Sequence, residues 1–162
     1  MNVLTLQAKS CMAHLLLKET FDSFSFIDAD ITTYNSFHMD GCLQKEFYPE
    51  GKAPNRSFSY WKDVREFCLS IIKGKRTPLN FKIILSLGEE KFQSFLSSRG
   101  ITTMNSQEIQ GLYLNFRYDG TNLQCVTGTS TKVFTLDKSL EQQWDLWASE
   151  FLKNSGIEFL ES

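Results

Sequence analysis

The chain has 162 residues, a net charge of −2, 41% hydrophobic residues and 14% aromatic residues. This length suits a single domain over residues 1–162 with a core of its own, and the aromatic content excludes a disordered chain. No stretch approaches the roughly 18 uncharged apolar residues of a membrane span, and the chain lacks the basic excess typical of nucleic-acid-binding domains.

The N-terminal segment forms the first part of the predicted fold. Residues 2–7 alternate weakly and predict a short strand, and the pattern that starts near residue 8 predicts a helix of about two to three turns. Lys9 interrupts the apolar run, so the segment does not have the pattern of a secretory signal. We therefore expect a cytoplasmic protein.

Four cysteines are spread along the chain, and they are Cys11, Cys42, Cys68 and Cys125. None of their spacings is typical of a zinc or redox site. An even number would allow two disulfides, but a domain of this size without an export signal favours four buried thiols in a reducing cytoplasm. The sequence indicates no cofactor.

The next predicted element is one long strand over residues 24–39, because this stretch is dense in Phe, Ile, Thr and Tyr. Asp28, Asp30, Tyr34 and His38 alternate onto its solvent face. A straight strand would place His38 about 26 Å from Asp30. The Asp-Gly pair at 40–41 then predicts a tight hairpin turn, with residues 42–47 as the returning strand.

The middle of the chain predicts a loop, a helix, a strand and a second helix. The loop covers residues 49–57, and the helix over 60–73 ends at a glycine that is followed by a proline. A central strand is predicted over 79–87. Ser86 and Glu89 have the spacing of a capping box, which predicts a helix to about residue 98.

The third quarter of the chain predicts a second hairpin around the Asp-Gly pair at 119–120. A two-residue turn would pair Phe116 with Leu123 and Arg117 with Asn122. One face of this hairpin would be apolar, and the other would carry Asn115, Arg117 and Gln124. A short strand over 132–136 and a C-terminal helix follow.

These elements predict an α+β fold with a largely antiparallel sheet of about six or seven strands and about four helices. The order of strand, helix, strands and helix in residues 1–78 returns in residues 79–162. A duplicated β-α-β(n)-α unit would explain this order, and the chance reuse of such units in α+β domains is the alternative. Such a plan resembles the saddle of the TATA-binding-protein-like fold and, less closely, the units of sliding clamps. A fold of this kind does not establish a function.

Three stretches carry a resemblance to a known group of proteins. They are ITTYNSFHMDGCLQKEF (31–47), KGKRTPLNFKI (73–83) and GLYLNFRYDGTNLQCVTGTSTKVFTLDKSLEQQWD (111–145). They resemble an uncharacterised domain-of-unknown-function family of small single-domain proteins from anaerobic Gram-positive bacteria. The resemblance implies a bacterial, cytoplasmic protein and no particular chemistry, because the family has no assigned activity.

The polar face of the predicted sheet is the first candidate site, and its residues are Asp28, Asp30, Tyr34, Asn115, Arg117 and Gln124. Two carboxylates at i and i+2 of a strand lie about 7 Å apart and could hold a divalent cation for a hydrolase. Charges on a solvent-exposed sheet face also keep a protein in solution without any ligand. No set of catalytic residues follows from the sequence.

A cationic cluster is the second candidate site. Lys73, Lys75 and Arg76 surround the end of a predicted helix, where their charges interact favourably with the exposed carbonyls. Together with Arg117 and Lys132 they would form a phosphate-contacting patch for nucleic acid, although the net charge of −2 counts against this. We therefore expect a non-enzymatic binding or assembly protein, with a protein partner or a second copy on its exposed sheet face.

Overall fold

The computed structural model describes residues 1–72, 74 and 76–161 of the chain. Its strands are β1 (Val3–Leu6), β2 (Ser25–Thr32), β3 (Ser36–Asp40), β4 (Asn80–Ser86), β5 (Ile109–Tyr118), β6 (Leu123–Thr131) and β7 (Phe159–Glu161). Its helices are α1 (Ala8–Leu16), α2 (Trp61–Ile72), α3 (Phe92–Ser98) and α4 (Ser139–Asn154). Short 3-10 turns cover Lys45–Phe47, Glu89–Lys91 and Ser106–Glu108.

The seven strands form one antiparallel sheet in the order β3-β2-β4-β5-β6-β1-β7. This arrangement confirms the predicted α+β class. Because each strand alternates apolar and polar residues, one face of the sheet is apolar and has to be covered. The helices of the described residues cover that face, so the protein has two layers.

The core lies between the sheet and the helices. Trp61 of α2 packs on Phe26 of β2 with ring centroids 5.7 Å apart. Phe151 of α4 reaches Phe116 of β5 through the ring of Phe21, which lies 5.6 and 5.3 Å from them. Trp144 is also fully buried and Trp147 packs against the core, so all three tryptophans contribute to it.

The predicted long strand over 24–39 is wrong. The chain folds back at residues 33–35, so β2 and β3 form a hairpin in which Ile31 lies opposite Phe37 and Asp30 lies opposite His38. The Thr33 amide closes this turn on the Asn35 carbonyl at 2.9 Å. A strand that folds back on a three-residue turn keeps the same residues on each face, so the alternation of the sequence is the same for both arrangements.

The Asp-Gly pair at 40–41 does not form the hairpin turn. Gly41 continues beside β2, and its amide donates to the Ile27 carbonyl at 2.9 Å. A Cβ atom at this position would lie 1.8 Å from the Phe26 carbonyl oxygen. The glycine is therefore required by the close approach of two backbones and not by a turn conformation.

The second hairpin forms where predicted, but its register differs by two residues. Phe116 lies opposite Cys125, and Arg117 lies opposite Gln124. The turn covers four residues because the Asp119 carboxylate accepts from the amides of Thr121 and Asn122 at 2.9 and 2.7 Å. A shift of two leaves every side chain on its predicted face.

Four local predictions are wrong. Residues 42–47 do not form a strand, since Cys42 makes an isolated bridge with Phe58 and Lys45–Phe47 is a 3-10 turn. Residues 132–136 do not form a strand either, and β6 ends at Thr131. The Ser86 hydroxyl does not cap a helix, since it accepts from the Leu112 amide at 3.2 Å within the sheet. Cys42 is exposed, while the other three cysteines are buried.

The predicted duplication is not confirmed by the sheet. The order of element types does recur, because β1-α1-β2-β3-α2 is followed by β4-α3-β5-β6-α4. In the second half β4 pairs with β5, but β1 of the first half pairs with β6 and β7 instead of β2. The halves 1–78 and 79–162 therefore do not share one pattern of strand pairing. None of the helices in the described residues has the length and apolar content needed to cross a membrane.

Candidate functional site: the open face of the sheet

The sheet face opposite the helices carries no helix in the part of the chain that the structure describes, and we call it the open face. Two rows of side chains run across its strands. The first row contains His38, Asp30, Lys82, Arg117 and Gln124. The second row contains Asp40, Asp28, Ile84, Asn115, Val126 and Val3.

An acidic corner lies at the β3 end of the open face. The Nδ1 atom of His38 lies 2.7 Å from Asp30 Oδ1, and its Nε2 atom lies 3.4 Å from Asp28 Oδ1. The Lys82 ammonium lies 3.6 Å from the other oxygen of Asp30. The histidine that the sequence placed far from the aspartates is therefore their direct neighbour.

The contacts in this acidic corner shift three pKa values. The hydrogen bond to Asp30 raises the pKa of His38, and the negative charge of Asp28 adds to the effect. The same hydrogen bond lowers the pKa of Asp30. Burial raises the pKa of Asp28, with the charge of His38 acting in the opposite direction. The arrangement is that of an imidazolium held between two carboxylates.

The acidic corner also has the atoms of a cation site. One ligand atom from each of Asp28, Asp30 and His38 lies within 4.8 Å of the others. Carboxylate oxygens and a neutral imidazole nitrogen are ligands for divalent transition metals. A cation would replace the proton on His38, so binding would compete with protonation of the ring.

The centre of the open face is a shallow depression of about 310 Å³. Ile84 and Val126 lie on either side of Asn115 in the second row and make its apolar part. Arg117 lines its polar edge. With the Asn115 amide oxygen turned toward this arginine, it accepts from Nη2 at 3.1 Å and from Nε at 3.3 Å. Asn115 therefore holds the guanidinium over the face.

Tyr34 is not on the open face with the other predicted residues. It lies at the tip of the β2–β3 hairpin and is 85% exposed. Together with Arg76 and Leu79 it lines a separate cavity of about 550 Å³. Tyr34 lies off the open face because the chain folds back at residues 33–35, and a residue at the tip of this turn belongs to neither strand.

The predicted cationic patch is not assembled by the described residues. Lys73 and Lys75 lie outside them. Lys132 follows the end of β6, and Thr131 lies seven residues, about 24 Å, beyond the position opposite Arg117. The open face itself carries aspartates beside its cations, and these carboxylates would repel the phosphate backbone of a nucleic acid.

Several residues of the open face were missing from the sequence-based prediction. Lys82 and Ile84 lie on β4, which the sequence predicts as a central strand without assigning its faces. Regular alternation would place Ile27 on the same face as Ala29 and Ile31, but a bulge between Phe26 and Asp28 turns it toward the depression. The alternation within LNFKIILSL was the signal that could have placed the lysine on the open face.

The chain belongs to a family of unknown function, DUF5721, whose profile matches residues 14–160. No curated protein and no solved structure matches the chain. The family has no assigned function, so the chemistry of the open face follows only from its own residues.

Proposed function

We propose that this member of a family of unknown function is a non-enzymatic binding protein and that the open face is its contact surface. The observation that carries the proposal is that the helices of the described residues cover one face of the sheet and leave the other face open. An antiparallel sheet commonly leaves one face in water, but here that face combines ordered charges with an apolar depression.

The composition of the open face supports recognition of another macromolecule. Ile84 and Val126 provide apolar area in the second row, and Asp30 and Arg117 provide opposite charges in the neighbouring first row. Interfaces between proteins have this composition, an apolar centre with a polar surround. Because the side chains stand on strands, they are already ordered before a partner arrives, which lowers the entropic cost of binding.

The cysteines support a cytoplasmic site of action. Cys11, Cys68 and Cys125 are buried as free thiols. A protein with buried thiols and no disulfide among its described residues fits a reducing compartment.

Site-specific photo-crosslinking in the native host tests the proposal. A photoreactive amino acid would replace Gln124 on the open face or, as the matched control, the exposed Glu66 on α2. We expect a discrete cross-linked species from the position on the open face and none from α2. The species should disappear when Arg117→Asp is added. Cross-links that are equal at both positions, or absent from the open face, would contradict the proposal.

A metal-assisted hydrolase is the second candidate function. The observation that favours it is the fold-back, which brings His38 onto Asp28 and Asp30 and gives three convergent ligand atoms. With a bound divalent cation, these residues would hold a water molecule for attack on an ester or phosphoester. Both imidazole nitrogens face carboxylates, however, and an ion-paired imidazolium explains the same geometry without a metal.

Equilibrium dialysis with Mn²⁺ or Zn²⁺ at alkaline pH tests the second candidate. Stoichiometric binding that is lost in His38→Gln and Asp28→Asn, but kept in Glu66→Gln, would support it. Hydrolysis of p-nitrophenyl phosphate that follows metal occupancy would establish the reaction class. Equal weak binding by all four proteins would eliminate the candidate.

A further inference from the structure

Arg117 differs in its partners from three other arginines of the chain. Arg65 is paired with Asp22 at 2.9 Å, Arg99 with Glu150 at 2.6 Å and Arg56 with Asp63 at 3.6 Å. Arg76 also makes no salt bridge with a described residue, but it is exposed in the segment between α2 and β4 and does not lie on the sheet. Arg117 lies in the middle of a sheet and makes no salt bridge with a described residue. Asn115 occupies two of its five N–H donors. The remaining donors are available to an anion from outside the chain.

The acidic corner has the complementary excess of negative charge. Asp28, Asp30 and Asp40 carry three negative charges, and their cationic partners in the described residues are the His38 imidazolium and the Lys82 ammonium. One negative charge therefore remains. The open face therefore has an acidic side and a basic side. A surface of this kind is complementary to a second copy of itself.

The strand order places the negative charge of Asp30 and the positive charge of Arg117 at equal distances on either side of β4. Asp30 lies one strand from Lys82 on one side, and Arg117 lies one strand from it on the other side, all in the same row. A twofold axis along β4, in the plane of contact, would place Asp30 of each copy against Arg117 of the other. Neighbouring strands are about 4.8 Å apart, so both ion pairs form in one arrangement.

The second row fits the same axis. Ile84 lies on β4 and would contact Ile84 of the other copy, and Asp28 would contact Asn115 of the other copy. The two Lys82 side chains would flank the axis, and each has an Asp30 oxygen 3.6 Å away within its own chain. The arrangement buries the two Ile84 side chains at the centre and places Asp30, Arg117 and Lys82 each near an opposite charge.

The open face sets the size of this contact. With the axis along β4, the five strands from β3 to β6 overlap with those of the other copy and span about 19 Å across the sheet, and six residues along a strand span about 20 Å. The flat area of this patch is about 400 Å² for each copy, which is at the small end of the range for protein interfaces, so the dimer depends on its ion pairs. Two sheets packed face to face, about 10 Å apart, are a common arrangement.

We propose that the open face is an isologous interface between two copies of this chain, in which Asp30 of one copy pairs with Arg117 of the other. The proposal rests on the proposed function, since it names the partner of the same surface. Twofold dimers are the commonest oligomers of folded proteins.

A charge-swap experiment read by sedimentation velocity tests the proposal. The wild type should sediment as a dimer. Arg117→Asp and Asp30→Arg should each raise the dimer dissociation constant at least about 100-fold, because each variant places like charges together at two symmetric contacts. An equimolar mixture of the two variants should restore a heterodimer, in which one ion pair has the reversed polarity. Glu66→Arg on α2 serves as the control and should remain dimeric.

Circular dichroism would verify that the variants are folded. A monomeric wild type at all concentrations would overturn the proposal, as would a dimer that neither charge reversal weakens. If the wild type is monomeric but the residue at position 124 still cross-links to another polypeptide, the dimer fails and the open face stands as a binding surface. If that cross-link is also absent, both proposals fail.

Discussion

His38 lies directly opposite Asp30 on the neighbouring strand, with its Nδ1 atom 2.7 Å from the carboxylate oxygen. Eight positions separate the two residues in the chain, and the three-residue turn between them brings them together. The same turn moves Tyr34 to the hairpin tip and gives the open face its acidic corner. The protonation of His38 therefore reports directly on this fold-back.

The pKa values of the two histidines of the chain should be shifted in opposite directions. The hydrogen bond to Asp30 raises the pKa of His38 above the usual 6.5, whereas burial lowers the pKa of His14 below it. An NMR pH titration of the two imidazole C–H signals measures both values, and His38→Asn assigns them. Two histidines that titrate together near the usual value would contradict the hairpin.

The raised pKa of His38 has a consequence for stability. A group whose pKa is higher in the folded state stabilises the protein fully below its unfolded pKa of 6.5 and loses this contribution as the pH rises through the folded pKa. The difference in unfolding free energy between wild type and His38→Asn should therefore shrink as the pH is raised above neutrality. Urea unfolding of both proteins at several pH values measures it, and a difference that is constant or grows with pH would be inconsistent with the contact.

One thiol should react in the folded protein. Cys42 is exposed, whereas Cys11, Cys68 and Cys125 are buried. Burial raises the pKa of Cys11 and of Cys68 to about 12, so their reactive thiolate forms are scarce. A disulfide-exchange reagent should modify one cysteine of the native protein and four after unfolding. Cys42→Ser should abolish the native reaction, and a second reactive native thiol would show that the core is packed differently.

Gly41→Ala should destabilise the protein by about 3 kcal/mol. The added methyl would lie 1.8 Å from the Phe26 carbonyl oxygen, so one of the two backbones would have to move. Gly128→Ala is the matched control, because the structure has nothing within 4 Å of that Cβ position. Urea unfolding measures both changes. Equal small effects at the two positions would contradict the close approach of residue 41 to β2.

Trp61→Phe should cost about 1–3 kcal/mol beyond the loss of ring volume. The indole N–H of Trp61 donates to the Leu15 carbonyl at 2.8 Å inside the core, and phenylalanine would leave this carbonyl without its partner. Trp147→Phe is the comparison, since Trp147 contributes by stacking on Phe151 with ring centroids 5.0 Å apart. If thermal unfolding shows equal losses for the two substitutions, the buried hydrogen bond contributes nothing.

The sequence predicted the fold class and most of the elements because their signals are local. The periodicity of residues 61–72 and the glycine that ends α3, with its positive φ of 67° at Gly100, depend on neighbours in the chain. The faces of the strands were also predicted correctly for most residues, because alternation with a period of two decides them. The short strand β7 was missed, since three residues carry too little pattern.

The pairing of strands could not be predicted from the same signals. A straight strand over 24–39 and a hairpin that turns at residue 34 place Ala29, Ile31 and Phe37 on the same face, so alternation does not distinguish them. In the second hairpin, a register shift of two residues also leaves every side chain on its face, so alternation does not distinguish the two registers. The composition of the open face was therefore largely predicted, but the contacts that make its acidic corner were not.

The most direct test of the account is the occupancy of the open face in the cell. A cysteine introduced by Gln124→Cys in a Cys42→Ser background would be alkylated inside the native host and in dilute purified protein, with Glu66→Cys on α2 as the control. If a partner covers the open face for about nine-tenths of the time, the cysteine at position 124 is alkylated about ten times more slowly. This ratio corresponds to a binding free energy of about 1.4 kcal/mol under cellular conditions. We predict alkylation at position 124 that is at least about ten times slower in the cell than in dilute solution, and unchanged alkylation at position 66. Equal rates in the cell and in dilute solution at position 124 would contradict the claim that this face binds a partner.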